Sequence, residues 1–249
     1  MHIRVILPVT AKSLAKPILD EARLWASPDT KVDLVRITHG PESIESEYDE
    51  ALATTGVLEA AQQATSDGVD GLFISCFAEP AVHAAREVID VPVVGGLEPA
   101  VHAALGVADR IAILSILPDT VPAVRRKLAS YQLLGRVPVV REIDVPVLGL
   151  DSNSCLLDRL EHEANTVIEA GAADAFVLGC TGMLKVAHEL QRRLTLRHGN
   201  TPVVDPTGSA ILNLETAVRL GISPSRLSYH PPRTKRRDTS GCSLPEVLS

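Results

Sequence analysis

The sequence predicts an α/β protein built as two pseudo-symmetric halves, each a four-stranded parallel sheet flanked by helices, with the functional site in the cleft between them. Two observations carry this prediction. Strand-like and helix-like segments alternate along the chain, the pattern of parallel sheets covered by helices through right-handed crossovers. The second half also repeats the first: "DGLFISCFAEP" (70–80) and "DAFVLGCTGM" (174–183) each place an Asp six positions ahead of a Cys that ends a short apolar run. Gly68 and Gly171 precede these runs, "VPVVGG" (91–96) and "TPVVDP" (201–206) follow them, and the starts "HIRVIL" (2–7) and "DRIAIL" (109–114) correspond.

The elements follow in order. Strand-like runs lie at 3–9, 32–38, 71–75 and 91–94, then at 110–116, 137–143, 174–179 and 202–204. Each is short, apolar and bounded by polar punctuation, as a strand buried on both faces reads. Residues 43–68 form a long helical pattern with Ser43 as N-cap, Ser46 and Glu47 in the first turn and Gly68 as its stop. A second long helix is expected over 154–170, closing at Gly171. The first half then spans 1–106, with part of the C-terminal segment packing back on it, the second spans 107–222, and 223–249 forms a Pro- and Arg-rich tail. The "KRR" at 235–237 reads as a solvated tail rather than a nucleic-acid patch.

Composition narrows the function. The chain has 249 residues and is 45% hydrophobic, ample for a large core, while aromatics at 3% leave little for base stacking. A formal charge of −7 argues against nucleic acid as a partner. No apolar stretch approaches the roughly 20 residues that span a bilayer, and the N-terminus lacks a signal-peptide cleavage pattern. A soluble, cytoplasmic protein is expected. Its 4 cysteines form no disulfide framework and no C-x-x-C or H-E-x-x-H spacing, so no metal site is expected.

Cys76 and Cys180 are the candidate catalytic residues, because both stand at the carboxyl end of a strand, where open α/β sheets bind ligands. Alone, either would read as a buried structural cysteine. The repeat makes that reading less economical, since facing halves would face the thiols toward each other. Cys155 has no counterpart in the first half and Cys242 lies in the tail. His39 follows a strand and could stand on the rim, whereas His83, His102, His162 and His188 fall on helical patterns and read as surface or packing positions.

"GPESIESEYDEAL" (40–52), "SCFAEPAVHAARE" (75–87), "PVVGGLEPA" (92–100), "LGCTGM" (178–183) and "PVVDPTGSA" (202–210) together resemble the hydantoin racemase branch of the aspartate/glutamate racemase superfamily, over roughly residues 1–222. That resemblance implies a cofactor-independent isomerase acting on a small molecule, a racemase or epimerase with one catalytic cysteine from each half; a homo-oligomer is also expected. Inversion of a carbon acid needs one group to remove a proton from one face and another to return it on the opposite face. Cys76 and Cys180 fit that pair, and a helix N-terminus after each would lower their pKa. Backbone N–H groups of Phe77, Ala78, Thr181 and Gly182 are then the expected oxyanion donors. Gly179 and Gly182 would allow close approach, and Thr181 either offers its hydroxyl or caps a helix. Gly40, Pro41 and Ser43 are expected on the rim; Thr207, Gly208 and Ser209 occupy the matching rim, where a helix cap is the preferred reading.

The residues after the first cysteine set the substrate class. Amino-acid racemases of the superfamily carry Asn-Thr there; Phe77 and Ala78 instead favour a neutral ring such as a 5-substituted hydantoin or allantoin. Hydantoin racemases usually place an acidic pair after Cys-Phe, where this chain has Ala78 and Glu79, and Asn-Pro-Asn after the first strand, where it has Leu7, Pro8 and Val9, followed by Thr10. Val9 and Thr10 are therefore expected to contact the substrate in a less polar pocket. The alternatives are a decarboxylase or cis-trans isomerase of the same superfamily, disfavoured for the decarboxylase by the presence of both thiols, and a non-catalytic small-molecule binding protein.

Overall fold

Both halves of the chain form a parallel sheet whose strand order is not the sequence order. The computed structural model describes residues 1–150 and 155–236. The first half runs β1 (His2–Leu7), α1 (Ala15–Trp25), β2 (Lys31–Arg36), α2 (Glu47–Ser66), β3 (Gly71–Ile74), α3 (Val82–Val88), β4 (Val93–Val94) and α4 (Leu97–Leu105). The second runs β5 (Ile111–Ser115), α5 (Thr120–Ser130), β6 (Val139–Glu142), α6 (Leu156–Glu169), β7 (Ala175–Leu178), α7 (Ala187–His198), β8 (Val203–Val204) and α8 (Pro206–Arg219). The sheets order as β2-β1-β3-β4 and β6-β5-β7-β8, and every pairing is parallel.

The repeat is physical as well as textual. Asp70 accepts the N–H of His2 at 2.7 Å, and Asp174 accepts that of Arg110 at 3.2 Å, so each Asp ties the start of one strand to its neighbour. Gly68 and Gly171 take left-handed φ of 68° and 61°, the stop that ends the long helix before the third strand of each half. Strands β3 and β7 are wholly buried, with Phe73 and Phe176 among the largest enclosed side chains. Enclosing each such side chain contributes about 1.5–3 kcal/mol.

Two helices interlock the halves. Helix α4 leaves the first sheet and packs on the second, with Leu97, Ala100, Val101 and Ala104 joining Ile111, Ile113 and Val177 in one apolar cluster. Helix α8 returns the exchange, packing on β3, β4 and α1, so that a Cβ added at Gly71 would lie 3.3 Å from Leu214. The cleft is thus pinned on both sides.

Two expectations change. Helix α2 is capped by Ser46, whose hydroxyl accepts the N–H of Asp49 at 3.2 Å, rather than by Ser43; the Asp49 carboxylate reaches back to the N–H of Glu45 at 3.1 Å and completes a reciprocal cap. The helices after the two cysteines begin only at Val82 and Ala187, because left-handed residues Glu79 (φ 58°), Ala81 (φ 59°) and Lys185 (φ 60°) break the helical path first. The segment after α8 docks on the first half through residue 229: Arg226 pairs with Asp90 and donates to the carbonyls of Arg86 and Glu87, and Tyr229 accepts from Arg86 at 3.0 Å. Cys242 and the end of the basic run lie outside the described residues. No described helix is long and apolar enough to cross a membrane.

Candidate active site

The carboxyl ends of β1 and β3 from one sheet and β5 and β7 from the other open into a shared cavity of about 830 Å³, counting its mouth. Register explains why these residues meet. Ile6 pairs with Ile74 and Leu114 with Leu178, so Leu7 and Ser75 end side by side in one half and Ser115 and Gly179 in the other. Cys76 and Cys180 come next, partly buried, and both line the cavity.

Each thiol sits at the head of a tight turn. Glu79 N–H returns to the Cys76 carbonyl at 3.3 Å, and Met183 N–H to the Cys180 carbonyl at 3.2 Å. Within these turns the N–H of Gly182 lies 3.3 Å from Cys180 Sγ, and the backbone N–H groups of Ala78 and Glu79 act to lower the Cys76 thiol. Hydrogen bonds to a thiolate favour it, but here burial prevails. Burial, followed by the charges of Cys180 and Glu50, pushes the Cys76 thiol up to about 12. Burial and then Glu45 push Cys180 up to about 11. Neither following helix starts at its cysteine, so no helix N-terminus stands at either sulfur. Gly179 is required for packing: a Cβ there would lie 2.7 Å from the Leu114 carbonyl oxygen and 2.9 Å from Ser115 Cα.

A model of the Asp/Glu/hydantoin racemase family matches residues 3–213. A hydantoin racemase from Pseudomonas sp. (strain NS671) is 35% identical over 237 residues, covering 94% of this chain and 93% of that protein. Another from Rhizobium meliloti is 33% identical, over 94% of this chain and 96% of its own length. The chain belongs to the Asp/Glu/hydantoin racemase family. It is accordingly an isomerase, and an allantoin racemase from Klebsiella pneumoniae shares its fold with a TM-score of 0.91 at 34% identity, over 98% of both chains.

In this racemase the cavity walls are mostly apolar. Leu7, Pro8 and Val9 line one side, with Leu7 and Val9 both buried, and Phe77, Ala78, Gly179, Thr181 and Gly182 also reach the lining. Thr10, Gly40, Pro41 and Ser43 lie outside it: Thr10 donates its N–H and its hydroxyl to the Pro41 carbonyl, at 2.8 and 3.1 Å, and Gly40 packs against Ile37 and α2. Their rim position is taken instead by Ile44, Glu45, Ser46 and Glu50. Thr207, Gly208 and Ser209 are the first turn of α8, capped by Asp205, which accepts the Gly208 N–H at 2.6 Å.

The sequence reading missed the wall that α5 supplies. Thr120, Ala123, Val124 and Lys127 face the cavity from the second half, and Lys127 pairs with Glu50 of α2 at 3.1 Å across the cleft. Nearer the surface Arg126 pairs with Glu47 at 2.8 Å. A turn of α5 carries both cations, which is a legible spacing, but their partners in the other half are not. Ser75 was also missed. It is buried beside Cys76, and its hydroxyl has no hydrogen-bond partner among the described residues.

Proposed function

We propose that this racemase inverts the C5 centre of 5-substituted hydantoins by proton transfer between Cys76 and Cys180, without a cofactor. The observation that carries the reading is the presence of both thiols in one cavity, each at the end of the third strand of its own half. One sulfur, as thiolate, takes the C5 proton, which the adjacent carbonyl acidifies. The planar enolate that results accepts a proton on its other face from the second thiol, and the two exchange roles when the opposite enantiomer binds. Ala78 and Gly182 N–H groups favour the thiolate form of their own cysteines, which leaves Phe77 and Thr181 N–H and the Ser75 hydroxyl as proposed donors to the enolate oxygen.

Substrate choice follows from charge and polarity. Lys127 offsets Glu50 across the cleft, so it is the carboxylate of Glu45 that disfavours a free amino-acid carboxylate in the cavity and favours a neutral ring with N–H donors. Leu7 and Val9 favour an alkyl or aryl substituent over the ureido group of allantoin. Both related hydantoin racemases fit this reading, and the allantoin racemase supplies the competitor. In a reducing cytosol both thiols would stay available. Incubation of single enantiomers of benzylhydantoin and allantoin in deuterated water tests it: loss of optical rotation with one deuteron incorporated at C5 is expected, above the uncatalysed rate. Optical rotation that follows only the uncatalysed rate for every hydantoin offered would overturn the proposal.

A further inference from the structure

Glu79 follows Cys76 by three residues, and no proton-transfer step uses it. Only 2% of it is exposed. Its Oε1 accepts the N–H groups of Leu97 and Glu98, both at 2.9 Å, at the first turn of α4. Its Oε2 accepts the Tyr131 hydroxyl at 2.6 Å, and Tyr131 ends α5 in the opposite half. Gly95 makes room for the side chain, since a Cβ there would lie 2.3 Å from Glu79 Cγ. Burial raises the Glu79 carboxyl, and the Tyr131 hydroxyl and the Glu98 N–H oppose that rise.

The second half shows what a turn of this kind requires. Met183 holds the place of Glu79, closes the same bond to its cysteine's carbonyl, and is buried with an apolar side chain. Closing that bond to the cysteine carbonyl therefore does not require a carboxylate. Glu79 also holds a left-handed backbone at φ 58°, which L-residues other than Asn and Asp rarely adopt unless the surroundings enforce it. What the carboxylate adds is a tether from the Cys76 turn to α4 and α5, and α5 forms the facing wall of the cavity.

We propose that Glu79 is a positioning residue for Cys76: anchored by α4 and Tyr131, it holds the turn that its own N–H closes on the Cys76 carbonyl, and with it the placing of the Cys76 sulfur. The proposal rests on the reading that Cys76 is one of the two bases, and its test uses no substrate, so the two fail separately. Iodoacetamide alkylation of Cys76 and Cys180 is followed in the same molecule by peptide mass spectrometry, across a pH series, for wild type, Glu79→Ala, Glu79→Gln and Tyr131→Phe. In Glu79→Ala, Cys76 should react about tenfold more slowly at a given pH, equivalent to about one pKa unit, while Cys180 keeps its rate. Glu79→Gln retains an acceptor for α4 and should restore most of the Cys76 rate, and Tyr131→Phe should fall between. An unchanged or faster Cys76, or equal slowing of both cysteines, would overturn the proposal. Should Glu79→Ala fail to fold, Tyr131→Phe decides alone: selective slowing of Cys76 supports it and an unaltered ratio overturns it.

Discussion

The hydroxyl of Thr181, next to Cys180, donates to the backbone carbonyl of Ser75, next to Cys76, at 3.2 Å. The bond joins the two thiol-bearing segments directly, and both residues are buried. It also spends the hydroxyl that the sequence offers either to substrate or to a helix cap. Thr181→Val keeps the shape and removes the donor, leaving a buried carbonyl unpaired. Stability should fall by about 1–3 kcal/mol and turnover should fall with it, whereas Thr181→Ser should restore both. Thermal unfolding and racemisation rates of the two variants check this.

The pH dependence of activity follows from the raised thiols. With Cys76 pushed up to about 12 and Cys180 to about 11, both are protonated at neutral pH in the empty enzyme. A reaction that needs one thiolate should speed up with pH throughout the neutral and mildly alkaline range, with no falling limb until the second thiol also ionises. A pH profile of kcat/KM, corrected for uncatalysed racemisation, tests it; a decline over that range would contradict it.

Apolar lining at Leu7 and Val9 predicts a preference between rings. Alkyl or benzyl hydantoins should show higher kcat/KM than allantoin. Val9→Asn should move the ratio toward allantoin by roughly threefold to tenfold, the effect of one net hydrogen bond of about 0.5–1.5 kcal/mol. A wild-type preference for allantoin would refute the assignment of these two side chains to the specificity wall.

Asp205 predicts a stability effect of opposite sign to ordinary acid denaturation. Burial is the main cause that raises this carboxyl to about 7, with the Glu21 charge adding to it against the Gly208 N–H. A carboxyl raised on folding contributes stability that is fully present below its unfolded pKa and is lost as pH rises toward 7, at up to about 1.4 kcal/mol per unit of difference. Asp205→Asn can still accept the Gly208 N–H, so it should flatten that fall. Chemical denaturation between acidic and neutral pH, compared for the two proteins, measures it.

Much of this architecture was legible because the signals are local. All eight strand-like runs form strands, since short apolar segments buried on both faces have few other solutions, and the left-handed glycines at 68 and 171 mark the helix ends. Errors arise where neighbours in space decide. Ser46 displaces Ser43 as the cap because its hydroxyl accepts the Asp49 N–H while the Asp49 carboxylate accepts the N–H of Glu45. The exchange of α4 and α8 between sheets depends on which apolar face finds which sheet, and the wall from α5 depends on Glu50 in the other half. The role of Glu79 is not legible in the sequence because its partners, Leu97, Glu98 and Tyr131, are distant from it.

The central claim is that Cys76 and Cys180 serve opposite faces of one carbon. Proton exchange at C5 in deuterated water, followed separately from each enantiomer of benzylhydantoin, tests it most directly with Cys76→Ser, Cys180→Ser and Cys155→Ala. Racemisation should be lost in both serine variants and kept in Cys155→Ala. Each serine variant should retain exchange with one enantiomer only, and the two variants should retain opposite ones. Near-native racemisation by either serine variant, or equal loss of exchange from both enantiomers in each, would contradict the two-base account.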